Sequence, residues 1–297
     1  PALTARGESL RALDMATVAS FFGGTFSALA LILLAPLLAA AAMNFGAAEY
    51  FAVAVFGLTI VASLSSGQAL KGFISALIGL FIATIGMDPV TADLRNTFEN
   101  PNLYNGVALV PVLIGLFAVS QILVTLEDVF TGVKLGDAKL SKKGLRLKDL
   151  TDNVINFLRS SVIGTAIGIL PAMGVSAATF LAYSEAKRFS KTPELYGTGI
   201  VEGIAATESS NNAVCGGALI PLLTLGVPGD IITAIMLGAL MIQGLTPGPL
   251  LFVEHPVTVY GLFAAFVIAN IFMLVVGLLT VRMAGKIIHV PNALLMP

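Results

Sequence analysis

Eight stretches of this chain carry no Asp, Glu, Lys or Arg: 18–43, 50–70, 72–87, 106–126, 160–184, 209–229, 231–253 and 257–281. Most reach the roughly 20 residues with which an α-helix crosses a hydrocarbon core of roughly 30 Å. They are apolar on every side, whereas a barrel strand alternates apolar and polar over segments of about ten residues. Of the 297 residues, 57% are hydrophobic and 11% charged, and a soluble domain carries about 25% charged. That leaves too little charge to cover the outside of a soluble fold of this length. The expected fold class is an all-α polytopic membrane protein. It has about seven to nine transmembrane or re-entrant helical segments, with two broken-helix regions. Its first partner is the lipid bilayer.

The net charge of −1 gives no basic field for nucleic acid. The single cysteine, Cys215, excludes an internal disulfide and reads as a small buried hydrophobe. His255 and His289 flank the last window on opposite sides and share no metal; both read as interfacial. No signal-peptide pattern is visible at the start.

Lys and Arg set the expected orientation. Arg6 and Arg11 precede the first window, and the stretch 127–159 holds seven of the sixteen basic residues. Lys187, Arg188 and Lys191 form a third cluster, Arg282 and Lys286 a fourth. These are expected on the cytoplasmic side. The 88–105 loop, with three acids and one Arg, belongs outside. So do 45–49 and 244–256, which have no Lys or Arg. The expected organisation is a cytoplasmic connector at 1–17, four transmembrane spans in 18–126 and a cytoplasmic basic loop at 127–159. A re-entrant or broken-helix substrate region follows at 160–243, then a last span at 257–281 and a cytoplasmic tail at 282–297. Tyr50, Tyr104, Tyr183 and Tyr260 fall at or beside span ends, Lys71 snorkels, and 144–157 reads as a short interfacial helix.

Window 160–184 has basic flanks on both sides, so it starts and ends on one face. Its centre, Gly164-Thr-Ala-Ile-Gly168-Ile-Leu-Pro171-Ala-Met-Gly174, holds three glycines and a proline that break a helix. A second break, Gly226-Val-Pro228-Gly229-Asp230, separates two half-length apolar pieces, 215–225 and 231–243. Irregular backbone at membrane depth is tolerated where protein or a water-filled cavity satisfies it. Two breaks thus point to a solute site, with half-helix N-termini toward an anion and open carbonyls toward a cation. The alternative is simple kinking or close helix packing. Met173 reads as packing at the break, and Asp230 as the N-cap of the following half-helix.

Between the breaks lies Glu202-Gly-Ile-Ala-Ala-Thr207-Glu208-Ser209-Ser210-Asn211-Asn212. Amides donate to carboxylates, while amide, hydroxyl and carbonyl oxygens suit a hard cation. The residues expected to bind substrate are Gly168, Leu170, Pro171, Gly174, Ser176, Ser209, Ser210, Asn211, Asn212, Pro228 and Gly229. Those expected to hold a cation are Thr207, Glu208, Asn211 and Asn212. The competing reading is a helix start in solvent, with Ser209, Ser210 or Asn211 as its N-cap. Motifs for zinc hydrolysis, a nucleophile elbow, a phosphate loop and Cys-x-x-Cys are absent. Pro228-Gly229-Asp230 lacks the second aspartate of an intramembrane protease, so no enzyme is expected and no cofactor beyond a co-transported Na⁺ or H⁺.

Several motifs together resemble the large membrane subunit of tripartite tricarboxylate transporters. They are Gly168-Ile-Leu-Pro171, Gly197-Thr-Gly199-Ile-Val-Glu202, Asn211-Asn212-Ala213, Pro221-Leu-Leu-Thr-Leu-Gly226-Val-Pro228-Gly229 and Gly244-Leu-Thr-Pro247-Gly248-Pro249. Gly46-Ala-Ala-Glu49-Tyr50-Phe51 and Gly86-Met-Asp88-Pro89-Val90-Thr91 fit as well. The resemblance implies cation-coupled import of small di- or tricarboxylates across a bacterial inner membrane. It also implies a small membrane subunit and a periplasmic solute-binding protein as partners, and leaves a homo-oligomer open. By the same resemblance the chain is a fragment carrying one of two related half-sites. Ala172 and Asp230 depart from it, standing where the family has a glycine and a small hydroxyl residue. A channel or a non-transporting membrane assembly subunit remains the alternative function.

Overall fold

The computed structural model describes residue 3 and residues 6–64, 69–88, 91–108, 111–112, 114–119, 123, 144–171 and 173–287. Ten α-helices lie among them: α1 (Ser9–Ala42), α2 (Ala47–Leu64), α3 (Ala69–Ala83), α4 (Leu147–Thr151), α5 (Val154–Ile169), α6 (Gly174–Phe189), α7 (Val201–Leu225), α8 (Ile231–Ile242), α9 (Pro249–Glu254) and α10 (Pro256–Ile287). Two of them, α1 and α10, are long and apolar enough to cross a membrane. Within the expected span 106–126, residues 109–110, 113, 120–122 and 124–126 lie outside the described residues, as do 127–143 of the expected loop and 288–297; what is described of that span includes a π-helical turn, Ile114–Val119.

Helix α1 begins nine residues before its charge-free window, because the charges of its first turns are matched. Arg11 donates from Nε and Nη2 to both oxygens of Asp149 at 2.9 and 2.6 Å, and from Nη1 to Glu8 at 2.6 Å. Asp14 is buried and accepts from the Leu145 N–H at 3.3 Å. Part of the expected connector 1–17 is thus helix (Leu3 and 9–17). The expected interfacial helix 144–157 is instead α4, a two-residue turn and the start of α5. Its Phe157 is buried, stacked on Phe22 at 4.9 Å. The Arg11 bonds hold the Asp149 carboxyl below the ordinary carboxylate range. With the folded pKa depressed, this pair stabilises the fold above about pH 4. The contribution is lost as pH falls through the folded value. Asp149→Asn is expected to cost about 1–3 kcal/mol at pH 7, and in thermal melts the difference should shrink as the pH is lowered below about 4.

Helices α1, α5, α6, α7 and α10 form a bundle with α7 at its centre, while α2 and α3 pack mainly on each other. Between α3 and the following turn lies a two-stranded antiparallel ribbon, β1 (Gly86–Met87) and β2 (Leu94–Arg95), paired Gly86 to Arg95. Helix association in lipid relies on packing and interhelical hydrogen bonds, so small residues mark the interfaces. A Cβ on Gly23 of α1 would overlap the Ser209 carbonyl of α7, and one on Gly216 would lie 2.5 Å from the Ser27 carbonyl. These contacts make α1 and α7 parallel. Gly24 meets the Asn270 side chain and Gly277 meets Thr17, so α10 runs antiparallel to α1. Apolar clusters close both ends: Met15, Ala19, Phe157 and Val201 at the basic end, Leu31, Ile220, Leu223 and Phe263 at the other. The middle layer is small and polar.

Candidate functional site: two helix breaks in contact

The hairpin of α5 and α6 starts and ends at the basic end and breaks at 170–173. Leu170 is extended, Pro171 offers no N–H, and Gly174 takes a φ of +69° that L side chains rarely adopt. Gly168 packs on α7: its Cβ would lie 2.6 Å from the Val214 carbonyl and 3.0 Å from Gly217. Helix α7 ends at Gly226, left-handed at φ +71°, whose N–H donates to the Leu222 carbonyl at 3.0 Å. The chain then turns back along α7. A Cβ on Gly229 would lie 2.7 Å from the Gly168 carbonyl and 2.8 Å from the Ala218 Cβ. Gly168 and Gly229, and with them the two breaks, therefore meet.

Their depth follows from α1. Gly216 abuts Ser27, near the middle of the charge-free window 18–43, and Gly217 abuts both Gly168 and Thr165. Open backbone groups converge at this level. Helix α5 ends here, its Ile167 carbonyl accepting from the Leu170 N–H at 3.0 Å, and the carbonyls after Ile167 have no further turn of helix to donate to them. Pro221 inside α7 withdraws the donor for the Gly217 carbonyl. Helix α6 begins without a side-chain cap. Helix α8 differs, for Asp230 accepts from the Thr233 N–H at 2.8 Å and Thr233 Oγ1 accepts from the Asp230 N–H at 2.9 Å, a full capping box.

The structure overturns the capping reading of the polar run. Residues 202–212 do not start a helix; they lie inside the continuous 25-residue α7, whose N-cap is Ile200. Ser209, Ser210 and Asn211 are therefore not caps. A helix interior accepts them because most of their polar atoms find partners nearby. Thr207 donates to the Gly203 carbonyl at 3.0 Å and Asn212 to the Glu208 carbonyl at 3.3 Å. Ser209, fully buried, donates across to the Ala19 carbonyl at 3.1 Å. Glu208, half-buried, accepts from Ser20 at 3.4 Å, and Ser27 donates to the Asn212 carbonyl at 3.4 Å.

Two hydroxyls stand apart. Ser210 Oγ and Thr165 Oγ1 are buried at the α5–α7 contact without a hydrogen-bond partner among the described residues. Ser209→Ala should therefore cost about 0.6 kcal/mol, the mean for an interhelical bond in lipid. Ser210→Ala should leave stability equal or higher, since it removes an unsatisfied buried group. Paired thermal melts check the order.

The expected site residues thus fall on two levels. Gly168, Leu170, Pro171, Gly174, Pro228 and Gly229 lie at the two breaks. Thr207, Glu208, Ser209, Ser210, Asn211 and Asn212 lie toward the basic end, with Glu208 about 13 Å along α7 from Gly217. Ser176 is exposed on α6, and Ala172 lies outside the described residues. Cys215 is exposed rather than buried, lining an apolar cavity of about 370 Å³ with Leu31, Leu219 and Phe266. Tyr183 stacks edge-on to Tyr196 at 5.2 Å inside the bundle's basic end. Sequence reasoning missed Ser20, Gly23 and Ser27 on α1, Thr165 on α5 and Asn270 on α10. The small-residue spacing of the first three and the lone amide within 257–281 were the available signals.

Residues 2–297 match the sequence model of the tripartite tricarboxylate transporter TctA family. A relative from Agrobacterium vitis, "Uncharacterized 52.8 kDa protein in TAR-I ttuC' 3'region", is 35% identical over 292 residues, 98% of this chain and 58% of its own length. A second from the same organism, "Uncharacterized protein in TAR-II ttuC' 3'region", is 37% identical over 134 residues, 45% of this chain and 55% of its own length. The chain thus spans little more than half the length of these relatives. No solved structure matches. The chain belongs to the tripartite tricarboxylate transporter TctA family, a family of membrane transport components.

Proposed function

We propose that this chain supplies a broken-helix substrate site to a permease that imports small di- or tricarboxylates with Na⁺ or H⁺ across a bacterial inner membrane. A periplasmic binding protein delivers the substrate, and a small membrane subunit completes the system. The chain crosses the membrane several times and does no covalent chemistry on its cargo. The observation that carries this reading is the contact between Gly168 and Gly229, which joins two helix breaks at one level free of Lys and Arg.

With no cation side chain at that depth, backbone must meet the substrate's charge. The uncapped N–H groups at the start of α6 suit a carboxylate. The α8 start suits it less, because Asp230 already occupies that N-terminus. The Gly217 carbonyl and the last carbonyls of α5 suit a hard cation, which offsets the anion's charge in low dielectric. Asn211, two turns from Ala218 on the same face of α7, offers its amide to cargo passing toward the basic end, with Asn212 and the Glu208–Ser20 pair beside it.

The test uses the complete transport system in reconstituted vesicles. Citrate and other small carboxylates are screened for binding and uptake with and without Na⁺ or a pH gradient. Asn211→Ala and Asn212→Ala are expected to lower uptake at least about tenfold, the effect of losing roughly 1.4 kcal/mol, with membrane insertion intact. Normal uptake by both contradicts the placement of the site; no binding of any carboxylate points to an assembly subunit.

A further inference from the structure

A second cavity, of about 520 Å³, lies at the basic end where α4, α5 and the segment after α6 come together. Lys148 of α4, Arg159 of α5 and Lys191 after α6 all line it. Three separate elements thus bring three cations to one space. None of the three forms an ion pair with a described residue. Two carboxylates share the wall, Asp152 and Glu202, so the cations keep an excess of one positive charge. Glu202 is turned to other donors, accepting from Ser190 Oγ at 2.7 Å and from the Tyr196 hydroxyl at 3.3 Å, and Asp152 is exposed to solvent.

Arg159 is fixed in place. Its guanidinium lies 4.4 Å from the centre of the Phe189 ring, and Nη1 donates to the Glu185 carbonyl at 3.4 Å. A guanidinium has five N–H donors, so others remain for a ligand. Arg159 is also the last charge before the apolar window 160–184, which puts it where hydrocarbon gives way to headgroups.

The surface beside the cavity is apolar and open. On α5, Ile155 is 71% exposed, Leu158 51% and Val162 53%, at i, i+3 and i+7 along one stripe. Phe189, under the Arg159 guanidinium, is 60% exposed. A free anion needs no such wall. A molecule with a phosphate at one end and an acyl chain at the other matches both halves at once.

We infer that Lys148, Arg159 and Lys191 bind the phosphate headgroup of an anionic phospholipid, whose acyl chain runs from Leu158 past Val162 into the hydrocarbon. The inference does not depend on the transported substrate. The lipid joins α4, α5 and the end of α6, the three elements at the base of the broken hairpin, so it ties the hairpin to the membrane surface.

The probe is phosphatidylglycerol, offered to the complete permease in detergent and in nanodiscs, with phosphatidylcholine as the uncharged comparison. Native mass spectrometry counts retained lipid, and thermal melts measure the stabilisation it gives. Phosphatidylglycerol is expected to be retained in preference and to raise the midpoint. Arg159→Gln combined with Lys191→Gln should weaken that retention at least about tenfold. Lys148→Gln, a change at an exposed side chain, should weaken it less and serves if the double variant does not fold. Leu158→Ser with Val162→Ser should shorten retention with the cations intact. Unchanged retention in the cation variants overturns the inference. Equal stabilisation by glycerol phosphate or a free dicarboxylate also overturns it and makes the cavity a free-anion site.

Discussion

Gly229→Val is expected to reduce carboxylate uptake by about 100-fold, the scale of misplacing a binding group by roughly 1 Å, while the protein still inserts in the membrane. The reason is local. A Cβ at this position already lies 2.7 Å from the Gly168 carbonyl and 2.9 Å from the Ala218 Cα. Both are backbone atoms of packed helices and cannot swing aside as a side-chain tip would. The branched residue must push the second break away from the first, which separates the carbonyls of α5 from the Gly226–Asp230 turn. No charge-free window is interrupted, so insertion has no reason to fail. Uptake in vesicles, compared at equal inserted protein, reads the effect. Uptake near the wild-type rate would mean that the two breaks do not act as one site.

Gly216→Leu is expected to remove the folded bundle. Its Cβ would stand 2.5 Å from the Ser27 carbonyl and 2.6 Å from the Ser27 Cβ, at the centre of the α1–α7 contact. Overpacking a core costs about 1–3 kcal/mol when neighbours can yield, and more when they cannot. Here Gly23 and Ser209 on the same contact forbid a compensating slide, because they too meet backbone to backbone. The Ser209–Ala19 and Ser27–Asn212 bonds would be lost with the approach. Size-exclusion chromatography and a thermal melt check this: loss of the monodisperse peak or a fall of many degrees is expected. An unchanged melt would show that α1 and α7 do not pack through these residues.

The apolar windows announced helices because nothing else can satisfy backbone groups in lipid, and α5, α6, α8 and α10 overlap the windows that named them. The breaks were readable for a similar reason. Pro171, Gly174, Gly226 and Pro228 are residues whose backbone limits or freedoms act locally. The continuity of α7 was not readable. Ser209, Ser210 and Asn211 are the residues that cap helices in water, and the same chemistry lets them back-bond or bond across inside a helix packed against Gly23 and Gly164. Which happens depends on neighbours far away in the chain, such as Ala19, 190 residues from Ser209. The start of α1 was hidden likewise, since Arg11 and Asp14 look like the edge of a span until Asp149 and Leu145 are brought to them. Asp230 could be placed at a cap from its position alone, because capping is a matter of three residues.

For transport, the consequence is a division of labour by level. In the proposed transport cycle, backbone at the two breaks would face the cargo, side chains on α7 would line the way to the basic end, and the Lys and Arg residues would stay at the surface. Uptake driven by an imposed gradient tests this most directly. Vesicles holding the complete permease are loaded without Na⁺, and labelled carboxylate is supplied outside with Na⁺ or at lower pH. Accumulation above the equilibrium level is expected, collapsing when the cation gradient is dissipated and disappearing in Gly229→Val. Steady, gradient-independent flux in the wild type, unaltered by that substitution, would contradict it.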